Sequence, residues 1–536
     1  MNSPVTFSHL SFSWPDGTVA IEDVSAVFNT GRTGVVGANA AGKTTLLRLI
    51  VGELTPTSGE ILVCGRVAYL PQAIAMASGA TIADLLGVRQ KLDALRAIES
   101  GSTNEHDFEV LADDWDIETQ VDKVLQGLDI HGGTLSSGDI DRTVTALSGG
   151  EAMVVAIAGC RLRRADITLL DEPTNNLDQV LHASVVQMVR TWPGTLIVVS
   201  HDTELLEEMD AIVEVSGHGL SMFTGAYSAW CEARDIEQTA ALQAEKTAEA
   251  QVQLAKKQWV ATMERTSRNL AHGKQKAMNE GMGRALRDKM KGTAEAGAGR
   301  ARGAAEGRIA EAQQTLTQAS SRVRAEEHIR LTLPDPGVHA SKKILELSWG
   351  SDVFIMTGPE RVGLTGRNGV GKTTLIEQML SQDPPRLEVE GRLFTDRVGY
   401  LPQRLDNLDD SANAVDNILR VAPSATQAEV RAKLAGMLIR GNDVFRAVST
   451  LSGGERFRVA IARLLFSDPS AHLLILDEPT NNLDLTSVDH LVEALNSYHG
   501  AILVVSHNPQ FLERIGVSVQ CELFSDGLVV HRGVRN

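Results

Sequence analysis

Apolar positions fall along this chain in patterns that predict different elements. Short unbroken runs such as Leu196-Ile-Val-Val199 and Ile502-Leu-Val-Val505 read as strands buried on both faces of a parallel sheet. Arg32-Thr-Gly-Val-Val36, Arg361-Val-Gly-Leu-Thr365, Ile167-Thr-Leu-Leu-Asp171 and Leu474-Ile-Leu-Asp477 read the same way, with helices expected from Leu46 and Leu375 onward. In mid-chain the period changes. Ala248, Val252, Ala255 and Trp259, then Ile309, Ala312, Leu316, Ala319 and Val323, recur at steps of three and four. That spacing puts one apolar stripe on each of two helices, about 238 to 264 and 304 to 330, which can pair as an antiparallel hairpin. Between them, about 265 to 303, glycines 273, 281, 283, 292, 297 and 299 and a run of cations replace the stripe, which predicts a tip. Pro334 and Pro336 end the second helix.

The segments flanking the hairpin repeat one another. Gly37-Ala-Asn-Ala-Ala-Gly-Lys-Thr44 returns as Gly366-Arg-Asn-Gly-Val-Gly-Lys-Thr373, and Tyr69-Leu-Pro-Gln72 as Tyr400-Leu-Pro-Gln403. Leu147-Ser-Gly-Gly-Glu151 returns at Leu451 to Glu455, Asp171-Glu-Pro-Thr-Asn-Asn-Leu-Asp178 at Asp477 to Asp484, and Val198-Val-Ser-His201 at Val504 to His507. Five motifs in one order, twice, mean a tandem duplication. The domains expected are 1–231, 232–335 and 336–536. Gln72 to Leu147 spans 75 residues against 48 from Gln403 to Leu451, so the first copy carries about 27 extra residues, placed within 89–124 and read as a helical surface excursion.

Charge separates the same segments. The chain is 536 residues long, with 51 basic and 68 acidic side chains and a net charge of -17. Between Lys256 and Arg308, however, thirteen cations face five acids. A basic insert between acidic lobes reads either as a solvated face or as a surface for a polyanion. Aromatic residues make up only 4%, which argues against base stacking as the means of holding nucleic acid. Cys64, Cys160, Cys231 and Cys521 are dispersed, without CxxC or metal spacing, as expected for reduced thiols in the cytoplasm. Met1 to Leu10 lacks a signal-peptide pattern, and no apolar run approaches the ~18 residues of a membrane span.

GxxxxGK[ST] between a strand and a helix is a phosphate cradle, in which backbone N–H groups and the helix N-terminus surround the anion. Its candidates are Gly37, Asn39, Gly42, Lys43, Thr44 and Thr45, then Gly366, Asn368, Gly369, Gly371, Lys372, Thr373 and Thr374. Lys43 and Lys372 would contact the β- and γ-phosphates of ATP, and Thr44 and Thr373 would ligate Mg²⁺. Asp171-Glu172 and Asp477-Glu478 end strands, at the sheet edge where open α/β sheets bind ligands. Neighbouring strand residues point to opposite faces, so Asp171 and Asp477 are assigned to Mg²⁺, and Glu172 and Glu478 to polarising the attacking water. His201 and His507, after the next strand, are placed to bond the γ-phosphate.

These motifs resemble those of the ATP-binding cassette superfamily. The resemblance implies an α/β fold of two tandem cassette (P-loop NTPase) domains joined by an α-helical hairpin, with ATP and Mg²⁺ as cofactors and ATP hydrolysis as the reaction. It implies that Ser148, Gly149 and Gly150, and Ser452, Gly453 and Gly454, are signature residues that bind the γ-phosphate held by the other cassette. Gln72 and Gln403 match the Q-loops that reach ATP and the metal, Asp178 and Asp484 match the D-loops, and Trp14 fits the adenine-stacking aromatic, where the second copy has only Trp349 in a shortened lead-in. Ala40 opposite Gly369 and Val154 opposite Arg458 make the two sites unequal.

Two fused cassettes, no membrane segment and a charged helical linker look like the ABC-F branch. That resemblance implies a cytoplasmic monomer whose cassettes dimerise within the chain and which binds the ribosome at the tRNA exit site. The linker would then face 23S rRNA, the P-site tRNA and the peptidyl-transferase centre, with Lys274, Lys276, Arg284, Arg287, Lys289 and Lys291 as the RNA-binding candidates. Protection against ribosome-targeting antibiotics is the leading duty. The alternatives are a housekeeping translation factor and the ATPase subunit of a drug exporter with a separate membrane subunit.

Overall fold

The computed structural model describes residues 5–74, 79–128, 135–216, 219–279, 284–321, 323, 329, 331, 333–381, 384, 387–481 and 483–533. It divides into two units: Met1–Tyr227 together with His328–Asn536, and Ser228–Glu327.

In the first unit each sequence copy builds a six-stranded sheet. The order is Val67–Leu70, Ile167–Asp171, Thr195–Val199, Gly31–Val36, Ala211–Ser216, Gly219–Thr224 in one, and Val398–Leu401, Leu473–Asp477, Ala501–Val505, Arg361–Gly366, Val519–Phe524, Gly527–Arg532 in the other. In both, only the last strand runs antiparallel to its neighbour. Every residue of the strands Ile167–Asp171, Thr195–Val199, Leu473–Asp477 and Ala501–Val505 is buried, which is why they read as continuous apolar runs. An antiparallel three-stranded sheet accompanies each: Val19–Phe28, Val5–Ser13, Ser58–Val63, and Asp352–Thr357, Lys343–Trp349, Glu390–Leu393. The core of the first copy joins its two sheets through Phe7, Phe28, Leu46, Leu47, Leu169 and Ile197. That of the second does so through Leu347, Phe354, Leu375, Ile376, Ile475 and Leu503.

Register aligns the chemistry. Asp171 lies beside Val199 and Asp477 beside Val505 at the carboxyl edge of each sheet, so each carboxylate pair faces the histidine two residues beyond the neighbouring strand. The stretch of the first copy that carries the extra residues forms the helices Arg89–Glu99, Glu105–Leu111 and Ile117–Gln126, anchored by buried Leu92, Leu95, Val121 and Leu125, where the second copy has one helix, Gln427–Gly436.

The second unit is a helical hairpin that departs from the predicted boundaries. Its helices run Tyr227–Asn279 and Arg284–Ser320, so helix continues through residues 265–279 and 284–303 of the expected tip and stops short of 330. Gly292, Gly297, Gly299, Gly303 and Gly307 all lie inside the second helix. Each costs about 1 kcal/mol relative to alanine, but the residues between them are mostly strong helix formers (Ala, Arg, Glu). The stripes pair as expected: Ala248 and Val252 are buried, Ile309, Ala312, Leu316 and Ala319 half-buried, and Ser320 Oγ donates to Glu245 Oε1 at 2.6 Å. Of the six candidate RNA-binding cations, Lys274 and Lys276 belong to the first helix and the other four to the second. Lys289 is exposed, and the side chains of the other five lie outside the described residues.

Candidate nucleotide sites

Each phosphate loop begins where its strand ends at a glycine whose backbone angle an L side chain rarely adopts. Gly37 has φ 150°, and a Cβ there would stand 2.3 Å from the Val215 carbonyl oxygen; at Gly366, φ 138°, it would stand 2.5 Å from that of Leu523. The helices start at Lys43 and Lys372, three residues before the predicted positions. This earlier start puts both threonines of each loop in the first helical turn, where backbone N–H groups have no intrahelical acceptor and so face an anion. Lys43 Nζ donates to the carbonyls of Gly37 and Ala38 at 2.8 and 3.0 Å. Lys372 Nζ donates to those of Gly366 and Arg367 at 2.7 and 3.1 Å, and also to His507 Nε2 at 3.0 Å. Ala40 holds φ 64°, the left-handed region that its counterpart Gly369 enters at 78°.

The acids diverge as the strand geometry requires. Asp477 Oδ2 accepts from the Thr373 hydroxyl at 2.7 Å, whereas both oxygens of Asp171 are buried without a hydrogen-bond partner among the described residues. Glu172 and Glu478 sit at φ 49° and 47°, a flip that turns each away from the preceding aspartate. Their N–H groups stay tied to the Val199 and Val505 carbonyls at 2.8 and 2.9 Å. Burial pushes Glu172 up to about 8 and Glu478 up to about 7. Burial, reinforced by the adjacent lysine, pulls His201 and His507 down to about 4, so both rings are neutral at pH 7. Each Nε2 stands 3.3 Å from the Oε1 of its glutamate.

Two cavities collect these groups. One of about 480 Å³ is lined by Trp14, Asn39, Lys43, Thr44, Gln72, Asp171, Glu172 and His201. The other, about 530 Å³, is lined by Asn368, Lys372, Thr373, Gln403, Asp477, Glu478 and His507, and also by His182, His201 and Asp202 of the first copy. Trp14 packs edge-on against Phe12, with ring centroids 5.1 Å apart. Trp349 packs against the core of the second copy and lines neither cavity, so among the described residues an aromatic wall stands beside Lys43 and none beside Lys372.

The signature residues do not join these cavities. Ser148 and Ser452, with Gly149, Gly150, Gly453 and Gly454, line neither. Locally, Ser-Gly-Gly-Glu is a helix capping box: each serine Oγ accepts the N–H of Glu151 or Glu455 at 3.3 Å, and each glutamate returns a bond to the serine N–H.

The two copies meet through the D-loop aspartates, which divide their oxygens. Asp178 Oδ1 caps its own helix at the Leu181 N–H, 3.1 Å, while Oδ2 accepts the Asn368 N–H of the other copy at 3.2 Å. Asp484 does the same with Ser487, 2.8 Å, and Asn39, 2.7 Å. Sequence reasoning missed three further contacts: Asn368 Nδ2 to the Asn176 carbonyl at 2.9 Å, Asn481 Nδ2 to Asn176 Oδ1 at 3.1 Å, and Thr203 Oγ1 to Gln510 Oε1 at 2.6 Å. The repeated Asn-Asn before Leu-Asp was the available signal for the asparagines; the Thr203 contact had none.

No described helix is long and apolar enough to cross a membrane. The family model described as ABC transporter matches residues 21–175 and again 353–481. The tylosin resistance ATP-binding protein TlrC of Streptomyces fradiae is 29% identical, over 93% of this chain and 94% of its own. The energy-dependent translational throttle protein EttA of Escherichia coli is 28% identical, over 93% and 88%. The solved structure of an RNase-L Inhibitor covers 96% of this chain and 88% of its own, with a TM-score of 0.54 and 18% identity, and so shares the fold. With paired phosphate loops, paired Asp-Glu strand ends and a family match to both copies, this chain belongs to the ATP-binding cassette family, in its ABC-F branch, and is an ATPase.

Proposed function

We propose that this ATPase acts on the ribosome: ATP binding closes the two cassettes, the closed form docks at the tRNA exit site with the hairpin toward the P-site tRNA and 23S rRNA, and hydrolysis releases it. The observation that carries the reading is a hairpin whose charge is opposite to that of the rest of the chain, inserted in the sequence between the two cassettes. In its favour stand the relatives named for translational throttling and for tylosin resistance. On this reading the protein works in the cytoplasm as a monomer, and the bonds of Asp178 and Asp484 to the opposite phosphate loops are the intramolecular cassette contacts.

In each site the phosphate-loop lysine would exchange its carbonyl partners for the β- and γ-phosphates. Glu172 and Glu478, once ionised, would hold and polarise the attacking water. The neutral rings of His201 and His507, beside those carboxylates, would donate to the γ-phosphate. Thr44, Gln72 and the unpartnered oxygens of Asp171 form an all-oxygen donor set that suits a hard divalent cation, and Thr373, Gln403 and Asp477 form its counterpart. Mg²⁺ bound there would neutralise charge developing on the phosphates. The signature serines would reach the opposite γ-phosphate only on tighter closure.

The test is a double variant, Glu172→Gln with Glu478→Gln, which should hold the ATP-bound form and co-sediment with ribosomes in ATP. A double variant that stays in the supernatant refutes the reading. Protection against an antibiotic is the duty we favour, and the likeness to the tylosin resistance protein supports it. Expression in a sensitive host should raise the inhibitory concentration of a macrolide, lincosamide or pleuromutilin, whereas no change for any of them would favour a housekeeping role in translation.

A further inference from the structure

The histidines of the two sites are held differently, and the groups beside them differ between the copies. His507 Nε2 is fixed by Lys372 Nζ at 3.0 Å. Neither ring nitrogen of His201 has a hydrogen-bond partner among the described residues. The residue after His201 is Asp202, and its Oδ2 lies 2.5 Å from His182 Nε2. Glu204 Oε2 stands 3.8 Å from the other nitrogen of that ring. Asp202 Oδ1 meanwhile accepts the N–H groups of Glu204 and Leu205, at 3.0 and 3.2 Å, and so caps the helix Thr203–Glu207. In the second copy Val488, Asn508 and Gln510 occupy the matching positions. Asn508 still caps its helix, at the Phe511 N–H, but valine offers no bond.

We infer that His182 is a positioning residue for the Lys43 site: it clamps Asp202 and thereby fixes the backbone that aims His201 at Glu172. His182 lies one turn beyond Asp178, on the helix that Asp178 caps while it accepts from the opposite phosphate loop. The clamp therefore joins a helix seated on the second cassette to the histidine of the first site. Thr203, next to Asp202, adds its own bond to Gln510 of the second cassette. Burial works against both charges, but the bond and opposite charge hold His182 above its ordinary value and Asp202 below its own, as expected of a formed ion pair. The second site needs no such clamp because Lys372 holds His507 directly. The inference rests on His201 acting at the Lys43 site as proposed above.

The experiment uses the full chain carrying Glu478→Gln, so that hydrolysis reports the Lys43 site. His182→Val should lower kcat about fivefold and leave KM within about twofold, since ATP is still bound but His201 is misaimed. His182→Gln, which can still donate to Asp202, should restore most of the rate. Asp202→Asn, which keeps the helix cap, should lose as much as His182→Val, and the two together should lose no more than either alone. An unchanged kcat in His182→Val, a glutamine variant as slow as the valine one, or additive losses would each overturn the inference. Adding Glu172→Gln to the Glu478→Gln chain should abolish the remaining hydrolysis; if it does not, the assignment of the sites falls, and the inference with it.

Discussion

The glutamates give the two sites different acid limits. Burial raises Glu172 to about 8 and Glu478 to about 7, and a carboxyl group must be ionised to polarise water. At pH 6 the ionised fraction is then about 1% for Glu172 and about 9% for Glu478, roughly a ninefold advantage for the Lys372 site; by pH 9 both exceed about 90%. The perturbation is to silence one site at a time, with Glu478→Gln leaving the Lys43 site and Glu172→Gln leaving the Lys372 site. The assay is kcat/KM for ATP hydrolysis from pH 5.5 to 9.5, because kcat/KM titrates groups of the free enzyme. Each profile should climb about tenfold per pH unit on its acid side and then level, the Lys43 site about one unit later. Profiles already level at pH 5.5, or a Lys372 site that levels later than the Lys43 site, would refute the reasoning that burial sets these values.

Stability should depend on the same groups. A carboxyl whose folded value is raised binds more protons folded than unfolded, so between its ordinary value near 4.5 and 7 to 8 the nucleotide-free protein loses stability as pH rises. The histidines, lowered to about 4, act in the opposite sense, but only below about 6.5. Melting temperature should therefore fall from pH 6.5 to 8, and fall less in the Glu172→Gln, Glu478→Gln variant. Gly369→Ala, which forces a side chain to φ 78°, should cost about 1 kcal/mol in a denaturant titration, whereas Ala40→Gly should be neutral or slightly stabilising. Asp484→Ala removes a helix cap and the acceptor of the Asn39 N–H together, and should cost about 2 to 3 kcal/mol by the same measurement. Neutralising Lys274, Lys276, Arg284 and Arg287 should lower the log–log salt slope of ribosome binding by roughly 0.7 to 0.9 for each phosphate that is no longer neutralised; an unchanged slope would make the hairpin a spacer.

Much of this molecule follows from residues that are neighbours in sequence. A phosphate loop needs glycine where the turn takes a left-handed or crowded backbone, and a doubly buried strand must be apolar throughout, so both leave local patterns that the duplication repeats. Tertiary structure decided what depends on residues brought from far away. The division of Asp178 and Asp484 between their own helices and the opposite loops joins positions 190 and 445 apart. The flip at Glu172 is a backbone conformation that glutamate rarely adopts and that no pattern announces, held by a bond to Val199 on the neighbouring strand. The hairpin helices outran their predicted ends because glycine only weakens a helix, so a stretch rich in alanine and basic residues continues through it. His182 lacked a signal of its own, since a histidine on an amphipathic helix gains its meaning only when folding sets it against Asp202, on a different element.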